Sequence, residues 1–448
     1  MERLSAADLS MLWPEDFGWP QDIGVIGILD GRTLVGADGR VHIEMLRRAI
    51  GARLPVVPRF RQVVHTPRRG LGRPLWVDAP DVDLDRHVRV VDLSGEADLL
   101  AAVERIRRRP MDRARPLWQI WLFTGLGDGR IGCFIRVHHA ITDGIGGVST
   151  LATLLGAGPA DAQPAAPLPS TRELLADNLR GHGAALARAA AAAAHPVRTV
   201  RAVREGWPAL REVVGEKAPR TSLNRPLGPG RTLTVVRGRL RATRASAHTH
   251  GGTVNDVVLA VITGGLRDLL RSRGEPVDGV VLRTYVPVAL HRSQPALRRG
   301  NADALMIVPL PVGVPDPAER LRSIAADTAL RRGFRRPSGG SLFRTGFVQR
   351  AFLPLLARQR WANTYVANVP GPREPLTFAG VPVLELFPLV PLIGNVTLGV
   401  GALSYAGQLN LTVVADAAAC PDIATFTAGL QRDLDSLTAH TEEARRDA

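Results

Sequence analysis

Two adjacent histidines and a nearby aspartate form the group of residues best suited to chemistry in this chain. They lie in the stretch His138-His139-Ala140-Ile141-Thr142-Asp143-Gly144. An imidazole titrates near neutral pH, so it can take a proton from a hydroxyl group as that hydroxyl attacks a carbonyl. An acid four residues later can orient a ring, or hold the loop, through ionic hydrogen bonds. The motif therefore favours general-base chemistry at a carbonyl carbon.

The residues around the pair support this interpretation. Apolar residues alternate along Ile131 to Val137, which predicts a strand. A period of two places His139 on the apolar face of that strand and His138 on the opposite face. Gly144 then allows a tight turn into a helix. The alternative stays open that the histidines are satisfied core residues and that Asp143 caps the helix.

Several other chemistries lack their characteristic residues. The sequence has no Gly-x-Ser-x-Gly elbow, no His-Glu-x-x-His helix and no glycine-rich phosphate loop. Lys217 is the only lysine, which excludes a lysine-based phosphate site. Adjacent histidines on a strand point to opposite faces and chelate poorly, so no metal site is predicted.

The composition is that of an ordinary globular protein. The chain has 448 residues, of which 45% are hydrophobic and 22% charged. Two cysteines cannot build a disulfide framework. The first residues lack the pattern of a signal peptide, and there is no apolar run of about 18 residues that would span a membrane. We therefore expect a cytoplasmic protein.

The charge balance is unusual, because the formal net charge is +15 and nearly all basic residues are arginine. Coding bias is one explanation, and a surface that attracts anions is the other. Acidic lipid headgroups or a phosphate-bearing substrate would suit such a surface. No nucleic-acid-binding motif accompanies the arginines, so a nucleic-acid partner is not predicted.

The chain divides by pattern into two halves around a linker. Residues 1–155 and 221–448 mix strands and helices, which predicts an α/β fold with two similar domains. Residues 156–220 are rich in alanine and proline, and alanine favours a long helical connector ended by His195-Pro196. A partly disordered linker is the alternative. Predicted elements include a helix from Gly146 to Leu155, a helix from Val254 to Leu270 and a strand hairpin around Ala406-Gly407.

The His-His-x-x-x-Asp-Gly motif between strand and helix resembles that of acyltransferases with the chloramphenicol-acetyltransferase-like fold. Nearly the whole chain, apart from the linker, is similar to the bacterial wax ester synthase/acyl-CoA:diacylglycerol acyltransferase family. The pieces that carry this similarity, in chain order, are Leu4–Asp8, Trp76–Asp78, Asp83–Arg89, Arg115–Trp118, Ser222–Asn224, Val254–Val257, Val286–Val288, Gly300-Asn301 and Asn368–Pro372.

The resemblance implies two chloramphenicol-acetyltransferase-like domains of mixed sheets and helices, with an active-site tunnel at their interface. In that tunnel acyl-CoA would meet diacylglycerol or a long-chain alcohol, and no cofactor would be required. His139 would be the base, His138 a supporting residue and Asp143 structural. Asn255 would stabilise the oxyanion, although Thr253-x-x-Asp256 also fits a capping box that simply starts a helix.

The resemblance further implies that some residues bind substrate within the tunnel. The candidates are Gly144, Trp118, Asn301 and Asn368. A packing or turn role is the alternative for Trp118, Asn301 and Asn368. The sequence departs from the family pattern at Gln21–Gly24, Ala367 and Leu290-His291, which leaves the acceptor and the acyl chain length open.

Insoluble products imply that such an enzyme works at a lipid surface, either the inner membrane face or lipid inclusions. Gly333 to Phe352 mixes phenylalanine with arginine and is a candidate docking segment, with an exposed loop as the alternative. Two other functions stay open. One is a free-standing condensation-type enzyme that uses a carrier-protein thioester, and the other is a lipid-binding homologue without turnover.

Overall fold

Mixed strands and helices form the molecule, as the sequence predicts. The computed structural model describes residues 1–36, 40–142, 153–154, 161–162, 164–289, 303–334 and 353–443. The predicted helix from Gly146 to Leu155 therefore lies almost entirely outside the described residues.

The strands form two six-stranded sheets and one small three-stranded sheet. The strands are Glu2–Arg3 (β1), Asp22–Asp30 (β2), Gln62–His65 (β3), Leu75–Asp78 (β4), Val88–Asp92 (β5), Trp118–Thr124 (β6), Arg130–His138 (β7), Arg231–Arg239 (β8), Leu282–Ala289 (β9), Asp303–Leu310 (β10), Thr364–Pro370 (β11), Thr377–Phe378 (β12), Val381–Leu389 (β13), Leu398–Tyr405 (β14) and Gln408–Asp416 (β15).

Sequence order does not decide which sheet a strand joins. The first large sheet has the order β12-β13-β2-β7-β6-β5, and the second has the order β10-β9-β11-β14-β15-β8. Strands β12 and β13 come from the C-terminal half but extend the N-terminal sheet, where β13 pairs antiparallel with β2. Both sheets are mixed, because β5 runs parallel to β6 and β11 runs parallel to β9 and β14. The predicted domain boundaries at residues 155 and 221 stay predictions.

The helices cover the sheets and also form the linker. They are Ala6–Leu12 (α1), Ile43–Arg53 (α2), Leu84–His87 (α3), Leu99–Arg107 (α4), Thr171–Ala194 (α5), Pro196–Val214 (α6), Leu240–Thr249 (α7), Val254–Ser272 (α8), Pro317–Arg332 (α9) and Ile423–Glu443 (α10). Helix α8 is apolar on nearly all sides and lies in the core of the second half, against α10.

Local signals locate several of these elements correctly. The linker helix ends at Ala194, as predicted, because Pro196 lacks the amide hydrogen that would continue the helical hydrogen bonds. Pro196 then occupies the first turn of α6, where proline is tolerated. The hairpin β14–β15 turns at Ala406 and Gly407, which both have positive φ, as predicted from the Ala-Gly turn.

The two large sheets meet through a shared apolar cluster. Ile26 and Phe134 contribute to it from the first sheet, while Leu233 and Val414 contribute from the second. Strand β13 adds a polar attachment, because the Asn410 side chain donates a hydrogen bond to the Leu386 carbonyl. Burial of this cluster stabilises the contact between the two sheets.

A buried carboxylate fixes the end of the first sheet at which the histidine pair lies. Asp22 begins β2, is 1% exposed and lies opposite His138 in the strand register. Its Oδ2 accepts hydrogen bonds from Arg107 Nε at 2.9 Å and Arg136 Nε at 3.3 Å. Burial would raise the pKa of Asp22, but the two guanidinium groups outweigh it and lower the pKa below its ordinary value of 3.8.

Asp22→Asn should lower the thermal unfolding midpoint by several degrees. The substitution leaves two buried guanidinium groups without their counter-charge, which costs about 3–5 kcal/mol. A group with a lowered pKa stabilises the fold above its unfolded pKa and loses that effect only as the pH falls through the folded pKa. The loss should therefore be the same at about pH 6 and about pH 8. Differential scanning calorimetry measures it.

Asp81→Asn provides the matched control, since Asp81 is exposed. Its unfolding midpoint should stay close to that of the wild type. Equal midpoints for Asp22→Asn and Asp81→Asn would refute the structural role of Asp22.

Candidate active site

The histidine pair lies at the end of β7, where the chain leaves the sheet. His138 is the last residue of the strand and pairs with Asp22. The next residue continues the pairing by one hydrogen bond, because the His139 N–H donates to the Gln21 carbonyl at 2.8 Å. His138 is fully buried, whereas His139 lies in the turn after β7 and is partly exposed, so the predicted placement of the two rings on opposite strand faces stays a prediction. Backbone pairing therefore fixes the backbone positions from which the two imidazole side chains extend.

A backbone hydrogen bond indicates the tautomer of the His138 ring. Its Nδ1 accepts a hydrogen bond from the Ala140 N–H at 3.0 Å, so the ring proton of the neutral imidazole is on Nε2. Nε2 lies 3.1 Å from Glu15 Oε1. Because both ring nitrogens face protein groups in the interior, His138 is unsuited to accept a substrate proton.

Glu15 is a member of the site that the sequence reasoning missed. It lies in the short 3₁₀ helix Trp13–Phe17, and its Oε2 accepts a hydrogen bond from Arg113 Nη2 at 3.1 Å. Burial by itself would raise the pKa of Glu15. His138 and Arg113 lower it by a larger amount, so the net pKa lies below the ordinary 4.5. Glu15 is therefore an anion under physiological conditions, and its carboxylate lies beside Nε2 of His138.

Cys133 is excluded as an alternative nucleophile. It lies in β7, six residues before His139, and is buried. Burial raises the pKa of its thiol to about 12, so it stays protonated near neutral pH.

The structure brings two other predicted residues together. Asn255 is the second residue of α8, and Asn368 lies near the end of β11. The Asn368 Nδ2 group donates to Asn255 Oδ1 at 3.5 Å, a long hydrogen bond that leaves the Asn255 amide N–H₂ group as a donor. Within the described ranges, no hydrogen bond or ion pair joins these two side chains to His139.

Asp256 has a structural environment. It is buried, and its carboxylate accepts hydrogen bonds from the Thr253 N–H at 2.8 Å and from Thr328 Oγ1 at 2.6 Å. Arg332 Nη2 also lies 3.0 Å from Asp256 Oδ2. The capping box predicted from Thr253-x-x-Asp256 is thus confirmed as the start of α8.

Trp118 is fully buried at the start of β6. Its Nε1 donates a hydrogen bond to the Phe60 carbonyl at 2.7 Å, and its ring stacks on His87 at 4.4 Å between centroids. His87 Nδ1 bonds the Trp118 carbonyl at 2.7 Å. These contacts are those of a packed core residue. The role of Trp118 in substrate binding stays a prediction.

Some residues of the predicted site lie outside the part of the chain that the structure describes. Asp143, Gly144 and Asn301 lie outside the described residues, so their roles remain predictions. Most of the segment from Gly333 to Phe352 also lies outside them. Gln21 and Asp22, where the sequence departs from the family pattern, lie directly beside the histidine pair. The Gln21 carbonyl accepts the His139 N–H, and Asp22 pairs with His138 in the sheet.

Comparison with known family models identifies the family of the chain. Residues 4–258 match the model of the wax ester synthase/diacylglycerol acyltransferase catalytic domain, and residues 299–438 match the model of the corresponding C-terminal domain. The chain belongs to the wax ester synthase/diacylglycerol acyltransferase family. It is thus an O-acyltransferase of that type, and the resemblance seen in its sequence motifs is confirmed.

Curated relatives cover nearly the whole chain. A probable diacylglycerol O-acyltransferase of Mycobacterium tuberculosis is 30% identical and covers 98% of this chain and 96% of its own length. A second, putative diacylglycerol O-acyltransferase of the same species is 31% identical and covers 98% of this chain and 97% of its own length.

Solved structures share the fold. The wax ester synthase/diacylglycerol acyltransferase from Marinobacter aquaeolei VT8 has a TM-score of 0.68 at 22% identity, covering 99% of this chain and 100% of that one. The first condensation domain of the CDA synthetase has a TM-score of 0.62 at 18% identity, covering 98% and 96%. The predicted fold class, an α/β fold with two domains of the chloramphenicol-acetyltransferase-like kind, is confirmed.

Glu15→Gln should lower kcat by about tenfold or more, because it removes the charge that orients His138 and, through the turn, His139. The acyl-CoA KM should change little, since the Glu15 side chain is only 9% exposed and faces His138. Steady-state kinetics with a saturating acceptor measures both constants.

Asp16→Asn is the matched control, since Asp16 neighbours Glu15 and also faces Arg113, at 3.5 Å. Asp16 has no described contact with His138, so this variant should keep the wild-type kcat. An equal loss in the two variants would show that Arg113, rather than the Glu15–His138 contact, matters.

Proposed function

We propose that the protein transfers a long-chain acyl group from acyl-CoA to the hydroxyl of diacylglycerol or a long-chain alcohol, with His139 as general base. The observation that carries the proposal is the difference between the two histidines. His138 is enclosed by the Ala140 N–H and Glu15, whereas His139 is partly exposed at the end of the same strand. The partial exposure of the second ring supports its role as the base.

The proposed reaction is a direct transfer. The His139 imidazole takes the proton of the acceptor hydroxyl while the hydroxyl oxygen forms a bond to the thioester carbonyl carbon. The tetrahedral intermediate then collapses, its carbon–sulfur bond breaks, and the CoA thiolate receives the proton from the imidazolium. The products are an ester and CoA, and the chemistry requires neither a metal nor an organic cofactor.

Asn255 is the proposed donor to the oxyanion of that intermediate. Its side-chain oxygen accepts a hydrogen bond from Asn368, which orients the N–H₂ group as a free donor. A single preorganised donor of this kind contributes about 10² to 10³ in kcat. Asn368, Asn301, Gly144 and Trp118 are the proposed substrate-binding residues, and Asp143 is the proposed structural residue of the loop.

The proposed place of action is the cytoplasmic side of a membrane or a lipid inclusion, because both the acceptor and the product are insoluble in water. Among the described residues, no helix is long and apolar enough to cross a bilayer. A peripheral association is therefore the form of contact that we propose.

His139→Gln should lower the rate of CoA release by about 10² or more, because the hydroxyl loses its proton acceptor. The assay combines purified protein, palmitoyl-CoA, and either hexadecanol or dipalmitoylglycerol, and follows the free thiol. His42→Gln, at an exposed histidine, is the control and should turn over at the wild-type rate. Unchanged CoA release by His139→Gln would leave a non-catalytic lipid-binding protein or a different base.

The same assay separates the donor classes. Palmitoyl-CoA should be used at least as well as a palmitoyl thioester on a carrier protein. Turnover with the carrier-protein thioester alone would replace the proposed function by that of a condensation-type enzyme.

Asn255→Ala should lower kcat by about 10²-fold while leaving the thermal unfolding midpoint nearly unchanged. Thr253→Ala is the matched variant, because it removes a cap residue from the same helix start but leaves the Asn255 amide. It should lower the unfolding midpoint by an amount typical of a lost cap, about 1 kcal/mol, and retain most of kcat. The reverse pattern would assign the Asn-Asp motif to helix capping alone.

A further inference from the structure

The linker helices α5 and α6 present large apolar side chains to solvent. Leu179 is 62% exposed and Leu186 is 71% exposed on α5, while Val197 is 79% and Trp207 is 53% exposed on α6. The two helices contact each other, and the only buried residue of α5 is Leu174. Exposed apolar surface on this scale in one element calls for an explanation.

The exposed apolar residues of α5 lie on one side of the helix. Leu175, Leu179 and Leu186 are separated by four and seven residues, which places them within one narrow stripe at 3.6 residues per turn. All three are exposed. The stripe is therefore an amphipathic surface that has no core beneath it.

Helix α6 combines aromatic and cationic side chains along one ridge. Val200, Arg204, Trp207 and Arg211 follow one another at spacings of four, three and four residues, and all four are exposed. An aromatic ring between guanidinium groups suits the boundary between lipid tails and headgroups, because the ring enters the apolar layer while the arginines reach the phosphates.

The charge of the helix pair fits an anionic surface. Helices α5 and α6 together contain four acidic residues, namely Glu173, Asp177, Glu205 and Glu212, and Glu205 pairs with Arg201 at 2.9 Å. They contain seven arginines, namely Arg172, Arg180, Arg188, Arg198, Arg201, Arg204 and Arg211, so their net charge is +3. A cationic, amphipathic helix pair is attracted to acidic lipids and is held there by its apolar residues.

We propose that the helix pair α5–α6 is the docking surface by which the enzyme binds an anionic lipid bilayer. The proposal deepens the proposed function, because it names the partner surface from which a lipid acceptor would be drawn, and it rests on that function for its biological use. The surface is distinct from the segment Gly333 to Phe352 that the sequence suggested. A second copy of the chain is the competing occupant.

The test is sedimentation of the full-length protein with sucrose-loaded vesicles, made either of phosphatidylcholine alone or with about 30% phosphatidylglycerol. The wild type should pellet with the anionic vesicles and much less with the neutral ones, and salt should weaken the binding. Arg204→Gln should weaken binding to the anionic vesicles by about fivefold. Val200→Ser combined with Trp207→Ser should weaken it further at every salt concentration.

Two controls match these substitutions elsewhere on the surface. Arg241→Gln removes an exposed arginine from α7, and Met45→Ser removes an exposed apolar side chain from α2. Both should pellet like the wild type. Equal weakening by the control variants, or wild-type pelleting by the α6 variants, would overturn the proposal.

Two further measurements separate this proposal from its alternatives. With hexanol as a water-soluble acceptor, the α6 variants should release CoA at the wild-type rate, whereas with diacylglycerol in anionic vesicles they should be slower. Vesicle binding without any CoA release by the wild type would end the proposed function and leave the docking surface intact. A wild-type dimer that the Trp207→Ser variant converts to a monomer would instead assign the face to a second copy.

Discussion

The attraction between the Asp22 carboxylate and the guanidinium groups of Arg107 and Arg136 is the constraint on which the site depends. These charges are almost completely withdrawn from water, so none can leave without exposing the others to an apolar interior. They join β2, α4 and β7 at one point. The Gln21 carbonyl, one residue before Asp22, then receives the His139 N–H, and the position of the second imidazole follows from that bond.

The surroundings of each ring turn two identical side chains into different chemical groups. His138 has an acceptor role at Nδ1 and an anion beside Nε2, so its neutral tautomer is fixed by its neighbours. His138 and Arg113 keep the pKa of Glu15 below its ordinary value even though burial opposes the charge. The contacts of the His138 imidazole restrain the turn in which His139 lies. The two histidines thus differ in their proposed roles because their contacts differ.

Features set by neighbouring residues could be predicted from the sequence, whereas features set by distant pairs could not. The Thr253–Asp256 spacing located the start of α8, and the Ala406-Gly407 pair located a hairpin turn, since both depend on a few adjacent residues. Glu15 and His138 are 123 residues apart, and no local pattern connects them. Strand β13 contains Pro382 and Pro388, which disfavour a strand inside a sheet, so its place beside β2 could not be inferred.

The contribution of β12 and β13 to the N-terminal sheet sets an order for biosynthesis. Until residue 389 has left the ribosome, β2 has an unpaired edge of backbone amides and carbonyls, which is a template for pairing with other chains. The N-terminal half thus cannot complete its fold during translation in the usual vectorial way. The edge of β2 therefore stays unpaired for most of synthesis, and we expect the N-terminal half, if made alone, to be prone to aggregation.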